Sequence, residues 1–331
     1  MLIRAIGLHG FNGLPAFRAE IPGRLVNVGG SPRAVGALVD ALTLAFGAFS
    51  EADAAVAWQR LGFHEAEISG DPIPDCVVLT QPALARTLVD PDGDRTLRVE
   101  LEIELDPPQF RLVRQHALRD PELSLALGEH AARLQITLGW AFTADFEVAS
   151  CGVLAMKLGE LAPRPGEPCP WRDDLLRSLG GRGQVRGPME HEIDRFALAD
   201  RAPEISQRRA MRQACEALQT PPFSLGELQV VELEGGERWL AVGDSLTPLR
   251  VLGPGAIEAV SLVQWVFLDS AEILVLRVGA QDPAHRAWLA AQVESTPSPL
   301  EQIFLFGGEG PHDVLVEATP RAPTAGLALR R

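Results

Sequence analysis

The chain has 331 residues, of which 46% are hydrophobic and 22% charged, so it can bury one large core or two smaller ones. Its formal net charge of −14 argues against a broad nucleic-acid-binding surface, because such a surface needs clustered lysine and arginine to displace counterions. No apolar run approaches the ~18 residues of a membrane-spanning helix, and the first residues lack a charged segment followed by a long apolar one, so we expect neither a membrane span nor a signal peptide.

The first strong pattern is an apolar strand, a glycine turn and a helix. Residues 25–28 form the strand, and Gly29 with Gly30 forms the turn. The helix is predicted by apolar residues at helical spacing: Val35, Leu38, Val39 and Leu42. This is the scaffold of a phosphate-binding loop, G-x-x-x-x-G-K-[ST], whose lysine meets the β- and γ-phosphates and whose hydroxyl residue holds Mg²⁺. The candidate binding residues are Gly29, Gly30, Arg33 and Gly36.

The middle of the chain mixes predicted helices and strands without a motif that points to a reaction. Apolar spacing predicts a helix over residues 51–61, and alternation on both sides of an Asp-Pro-Pro sequence predicts an antiparallel hairpin over 97–113. An Asp-Pro start and recurring leucines predict a helix over 120–141, and residues 146–161 favour strands. Glycine and proline make 162–188 a candidate flexible linker or mobile loop.

Polar clusters in this region are interpreted as surface. Arg208, Arg209 and Arg212 fall in a predicted amphipathic helix and form a solvated face that could pair with an acidic partner. The acidic run at 190–194 contains a single histidine, so it predicts a surface segment and no metal site. The four cysteines lack C-x-x-C spacing and are expected to be reduced thiols of a cytoplasmic protein.

The far end of the chain again alternates helices with apolar strands. A segment rich in glycine and proline at 252–256 leads into a helix with apolar faces. The run at 273–276 is apolar throughout, as expected of a strand buried on both faces of a parallel sheet. A helix follows over 285–293, and another apolar strand over 302–306.

These segments, in this order, resemble the ATPase heads of the ABC and structural-maintenance-of-chromosomes (SMC) class, including the single-chain AAA-type ATPases related to them. Those heads begin with a short strand, a G-F-x-G-like turn, a second strand and the phosphate-binding loop, which is the order of parts in LIRAIGLHGFNGLPAFRAEIPGRLVNVGG. The resemblance covers residues 1–50 and 225–315. It implies an α/β fold: a P-loop NTPase-like mixed sheet flanked by helices, with an inserted middle α+β region.

The resemblance also implies that the phosphate-binding chemistry is missing. Gly29 falls on the first glycine of the loop and Ala34 on the second. Val35 then falls on the lysine and Gly36 on the hydroxyl that holds Mg²⁺. Lys157 is the only lysine of the chain and is not followed by serine or threonine, so the sequence contains no intact P-loop.

The remaining catalytic positions of the family are replaced as well. Residues 252–256 stand at the signature motif without its serine or its acidic residue. Arg277 and Val278 stand where Walker B has Asp and Glu, and Gly308 falls on the switch histidine. An arginine cannot ligate a cation, and at an effective dielectric of about 20 it would repel a nearby charge by roughly 4 kcal/mol.

We expect four parts along the chain. The first is an N-terminal lobe over 1–118, which contains the degenerate loop at 29–36, and the second is an inserted α+β region over 119–200, which contains the flexible stretch 162–188. The third is a C-terminal lobe over 201–318 with a signature-like segment at 252–256 and a Walker-B-like segment at 273–278. The fourth is a tail over 319–331.

The lost positions predict a catalytically inactive, ABC/SMC-like pseudo-ATPase that acts as a binding, assembly or regulatory subunit beside an active partner. We expect no cofactor and no metal, a protein partner (an intact ATPase or a second copy of the chain), DNA contact only through a complex, no membrane, and a cytoplasmic location. Two alternatives stay open. One is a nucleotide-binding protein without hydrolysis that uses Arg33 and backbone N–H groups; the other is an enzyme of another class with its site in the middle region.

Overall fold

The structure is a computed structural model and falls into two compact units. The described residues are 1–11, 14–47, 89, 95–127, 133–145, 148–159, 161–163, 169–180, 182–186, 205–225, 228–232, 238–242, 245–248, 253–268, 271–276, 282–295, 300–306 and 311–316. The first unit comprises Met1–Pro22, Val26–Gly181 and Pro311–Arg331, and the second comprises Gly23–Leu25 and Arg182–Gly310. The four-part division predicted from the sequence stays a prediction.

The first unit is built on a five-stranded antiparallel sheet. Its strands, in the order β2-β1-β4-β5-β6, are numbered along the chain as β1 (Leu2–His9), β2 (Phe17–Glu20), β4 (Thr96–Glu104), β5 (Arg133–Phe142) and β6 (Val148–Leu158). The unit also contains the parallel pair formed by β3 (Leu25–Gly30) and β13 (Val314–Val316). Its helices are α1 (Pro32–Gly47), α2 (Pro107–Ala117), α3 (Pro121–Ala126) and α4 (Pro170–Leu179).

Alternation along β4 explains the two faces of the antiparallel sheet. One side of the strand is apolar and buried, with Leu97, Val99, Leu101 and Ile103 at most 2% exposed. Helix α1 lies against this strand. The other side of β4 carries carboxylates. Glu102, for example, accepts hydrogen bonds from Arg133 at 2.9 Å and from Arg18 at 3.4 Å.

The hairpin predicted over residues 97–113 is wrong, because only its first half is a strand. β4 ends at Glu104, and α2 begins at Pro107. Asp106 caps this helix: its carboxylate accepts the Gln109 N–H at 2.8 Å, and the Gln109 side chain accepts the Asp106 N–H at 3.1 Å. This reciprocal capping box, with proline at the first helical position, starts a helix where the alternating pattern predicts a turn.

The helix predicted over residues 120–141 is also wrong beyond its first turns. Asp120 does start a helix, since its carboxylate accepts the Leu123 N–H at 3.1 Å, but α3 ends at Ala126. Residues 133–142 form β5, in which exposed and buried residues alternate. From Leu134 onward the leucines follow the two-residue period of a strand, not the 3.6-residue period of a helix.

Regular structure also occurs inside the stretch 162–188, where the sequence predicts a flexible linker. Helix α4 begins with Pro170, and it buries Trp171, Leu175 and Leu179. Cys169, which precedes the helix, is buried, and burial raises the pKa of its thiol above the ordinary value. Neither Cys169 nor Cys215 is in a disulfide bond, in agreement with the reduced thiols that the sequence predicts.

The second unit combines a parallel and an antiparallel sheet with three helices. Strand β11 (Ile273–Leu276) lies between β7 (Gly183–Arg186) and β12 (Gln302–Phe306) and is parallel to both. Strands β8 (Leu228–Glu232), β9 (Arg238–Val242) and β10 (Ser245–Pro248) form an antiparallel sheet. The helices are α5 (Ile205–Gln219), α6 (Pro254–Phe267) and α7 (Pro283–Glu294).

The helices and strands predicted for the far end of the chain are confirmed. All four residues of β11 are fully buried, as expected of a strand covered on both faces. The core of this unit joins β11 and β12 to one side of α5, α6 and α7. Arg24 also belongs to this unit, and its carbonyl accepts the Ile303 N–H at 2.7 Å.

The mixed α/β fold class predicted from the sequence, with sheets flanked by helices, is confirmed by these elements. In the part of the chain that the structure describes, no helix has the length and apolar character needed to cross a lipid bilayer.

Candidate functional site at the glycine turn after β3

The candidate site lies where β3 ends and α1 begins, within the first unit. Gly29 and Gly30 are the last residues of the strand, and Pro32 is the first residue of the helix. The predicted strand, glycine turn and helix are therefore present in the expected order. Ser31 lies between strand and helix, and it determines how the helix starts.

Ser31 caps α1 with its own atoms. Its hydroxyl oxygen accepts the Ala34 N–H at 3.3 Å, and its carbonyl oxygen accepts the Val35 N–H at 2.9 Å. Pro32 has no N–H to offer. A phosphate-binding loop works by directing backbone N–H groups of this first turn at an anion. Of the N–H groups that a helix start leaves unbonded, that of Ala34 is taken by the Ser31 hydroxyl and that of position 32 is missing because the residue is proline.

Gly29 and Gly30 lie directly against residues 312–316, which leave no room for a side chain. A Cβ atom at Gly29 would overlap the imidazole ring of His312. Gly30 has φ +142°, and a Cβ atom there would overlap the carbonyl oxygen of Val316. Both glycines are therefore needed for the close approach of residues 312–316, whether or not a ligand binds.

A polar clamp holds β13 in register beside β3. One carboxylate oxygen of Asp313 accepts the backbone N–H of Asn27 at 2.8 Å and its side-chain amide at 3.1 Å. In return, the Asp313 N–H donates to the Asn27 carbonyl at 2.9 Å. The register then sets Val314 opposite Val28. His312, one residue before the clamp, is consequently held over Gly29.

The other predicted site residues lie along the first turn of α1. Arg33 is exposed, whereas Val35 and Gly36 are half-buried. A Cβ atom at Gly36 would have no heavy atom within 4 Å, so open space borders the helix at this position. The turn thus brings Gly29, Gly30, Arg33 and Gly36 into one short segment that contains no lysine.

Unlike α1, the helix that follows the signature-like segment in the second unit starts without a side-chain cap. Gly253 precedes α6 with extended backbone, and no side chain bonds the first N–H groups of the helix. The nearest acidic residue along α6 is Glu258, whose carboxylate contacts Nδ1 of His285 in α7 at 2.8 Å. Glu258 therefore joins two helices of this unit.

Several predicted positions lie outside the described residues. These are Arg277 and Val278 at Walker B, Gly308 at the switch histidine, Leu252 of the signature-like segment, and residues 190–194. Within the described ranges, no group of three or more histidine, cysteine, aspartate and glutamate residues is arranged to hold a metal ion.

Sequence reasoning missed Ser31, His312 and Asp313. Ser31 carried a signal, since serine followed by proline is typical of a helix start. His312 and Asp313 carried a weaker one, a polar pair directly before a short apolar strand. Their nearness to the glycine turn could not be derived, because it depends on a pairing between residues 286 positions apart.

No protein-family model matches the chain, and no curated protein sequence matches it. Among solved structures, the SMC head bound to the C-winged helix domain of ScpA is 14% identical, with a TM-score of 0.47 over 96% of this chain and 97% of that one. The SMC head domain from Thermotoga maritima is 12% identical, with a TM-score of 0.44 over 96% and 95%. The recombination mediator protein RecF with ATP is 8% identical, with a TM-score of 0.45 over 96% and 98%. These similarities concern the fold, and no residue role is transferred from them.

Proposed function

We propose that the chain is an ABC/SMC-like pseudo-ATPase, a head that binds or assembles with a protein partner and does not hydrolyse ATP. In this role the α/β scaffold serves as a docking and regulatory subunit beside an active ATPase. The resemblance of the sequence to these heads motivates the class. The geometry of the glycine turn supports the loss of catalysis.

The observation that carries the proposal is the capped start of α1. The Ala34 N–H is bonded to the Ser31 hydroxyl, and Pro32 has no N–H to offer. A triphosphate would have to displace the hydroxyl and move His312, whose ring lies against Gly29. Both changes lower the affinity of the turn for an anion.

The side chains at positions 35 and 36 do not offset this loss. Val35 brings no positive charge to the β- and γ-phosphates, and Gly36 brings no oxygen to Mg²⁺. In intact heads the lysine and the metal neutralise the charge that develops on the transferred phosphoryl group. Without them the turn can neither hold nor activate the γ-phosphate.

Calorimetric titration of the purified chain with ATP, with and without Mg²⁺, tests this proposal. We expect no binding heat in either case. A second sample carries V35K and G36S, which restore the lysine and the hydroxyl in the open space beside Gly36. We expect this variant to stay silent too, because Ser31 and Pro32 still occupy or remove the N–H donors. Binding of ATP to the unchanged chain that strengthens with Mg²⁺ would contradict the proposal.

A nucleotide-binding protein without hydrolysis is the second candidate. It is favoured by the exposure of Ser31, Pro32 and Arg33 together with the open space at Gly36. In that case ATP binds the unchanged chain equally well with and without Mg²⁺, and Arg33→Gln weakens it. Copurification of a second, intact ATPase with the chain favours the first candidate.

A further inference from the structure

Helix α5 presents three arginines to solvent on the side opposite its buried residues. Arg208, Arg209 and Arg212 are exposed, and we call them the arginine face. Ala214 and Leu218, on the other side of the helix, are fully buried in the core of the second unit. The predicted amphipathic helix with a solvated basic face is thus confirmed.

The arginine face has no partner inside the described part of the chain. None of its three guanidinium groups makes a hydrogen bond or an ion pair there. Some arginines elsewhere in the protein do form ion pairs. Arg4 pairs with Glu104 at 2.6 Å, and Arg24 pairs with Glu301 at 3.5 Å.

The arginines also oppose the stability of the helix that carries them. Arg208 ends the first turn of the helix, where the helix dipole disfavours positive charge, and that turn has no acidic residue to compensate. Arg208 and Arg212 are four positions apart, a spacing at which like charges repel each other on a helix. A sequence that breaks local rules in this way commonly does so at a functional surface.

We propose that the arginine face binds a carboxylate-bearing helix of a partner protein. Arginine forms bidentate hydrogen bonds with carboxylates, and acidic residues one helical turn apart would match the spacing of Arg208 and Arg212. This rests on the partner-binding part of the proposed function and is independent of whether ATP binds.

Nucleic acid fits the same face poorly. Proteins that bind duplex DNA commonly neutralise about 6–10 phosphates, whereas this face offers three cations. Glu216 is exposed on the same helix, and the protein as a whole carries a formal charge of −14, so both would repel a polyanion.

The experiment measures binding of a fluorescent helical peptide with glutamates at i, i+3 and i+4 spacing to the full chain by anisotropy, at low and at physiological salt. We expect R208Q/R209Q/R212Q to weaken binding about tenfold, the sum of three exposed ion pairs. The control R98Q/R111Q/R119Q removes the same charge from exposed arginines of the first unit and should leave binding unchanged. Circular dichroism checks that both variants fold.

Three results would overturn the inference. These are absence of peptide binding to the unchanged chain, equal weakening by the control triple, and tighter binding of a short DNA duplex that depends on Arg208, Arg209 and Arg212. None of them bears on the calorimetric test with ATP, so failure here is separate from failure of the pseudo-ATPase assignment.

Discussion

Gly30 and Gly36 lie six positions apart and have opposite surroundings. Gly30 has a positive φ and touches the backbone of β13, whereas Gly36 is inside α1 with open space around it. Alanine restricts the unfolded chain equally at both positions. Its effect on the folded state therefore differs only through these surroundings.

We expect Gly36→Ala to stabilise the protein by roughly 0.5–1 kcal/mol, because alanine favours the helix and meets no atom. Gly30→Ala should destabilise it by about 1–3 kcal/mol, because the backbone there is strained for an L residue and the Cβ meets the Val316 carbonyl. Thermal melting of the two variants beside the unchanged chain measures both signs. A shift of the melting temperature in the same direction for both variants would contradict the proposed difference between the two surroundings.

At the site, the sequence predicts which residues form the turn but not what covers it. Gly29, Gly30 and the helix start follow from local pattern alone. The overlap of His312 with Gly29 depends on the register of β3 and β13, which no local pattern encodes. The absence of a lysine from the turn is visible in the sequence, and so is the serine-proline start of the helix.

At the scale of elements, local signals succeed where period and capping agree. Strand β11 was predictable because its apolar run is too short for a helix and half of it is β-branched, and helix α6 because its apolar residues recur at helical spacing. The failures at α2 and β5 share a cause. The Asp-Pro-Pro-Gln sequence predicts a turn when its helix-capping residues are not weighed. The leucines before β5 suggest a helical period, which the β-branched residues Ile136 and Thr137 contradict.

The capping box of α2 gives a prediction at this scale. Asp106→Ala removes the acceptor of the Gln109 N–H and should destabilise the protein by about 1 kcal/mol. Asp106→Asn keeps a side-chain oxygen in place and is the matched control, since asparagine caps helices about as well as aspartate. Urea denaturation of both variants measures the difference. Equal loss from both would mean that the charge, not the cap, stabilises this helix.

For the whole molecule, the dominant physical property is its negative charge. A net charge of −14 keeps copies apart at neutral pH, and the sequence pI is about 5.0. We expect the chain to self-associate as the pH falls from 7 towards 5, because protons taken up by its seven histidines and by part of its carboxylates remove the repulsion. Dynamic light scattering across this range measures it, and return to pH 7 should reverse the association. A particle size that stays constant down to the pI would contradict this.

The pairing of β13 with β3 has a consequence for how the protein is made. Asn27 and Asp313 are 286 residues apart, so a ribosome working at about 5–20 residues per second synthesises the second roughly 15–60 s after the first. During that interval β3 lacks its β13 neighbour, and an uncovered strand edge is a template for pairing with other chains. The nascent polypeptide is therefore most vulnerable before β13 has emerged from the exit tunnel, when holding chaperones would have their greatest effect on yield.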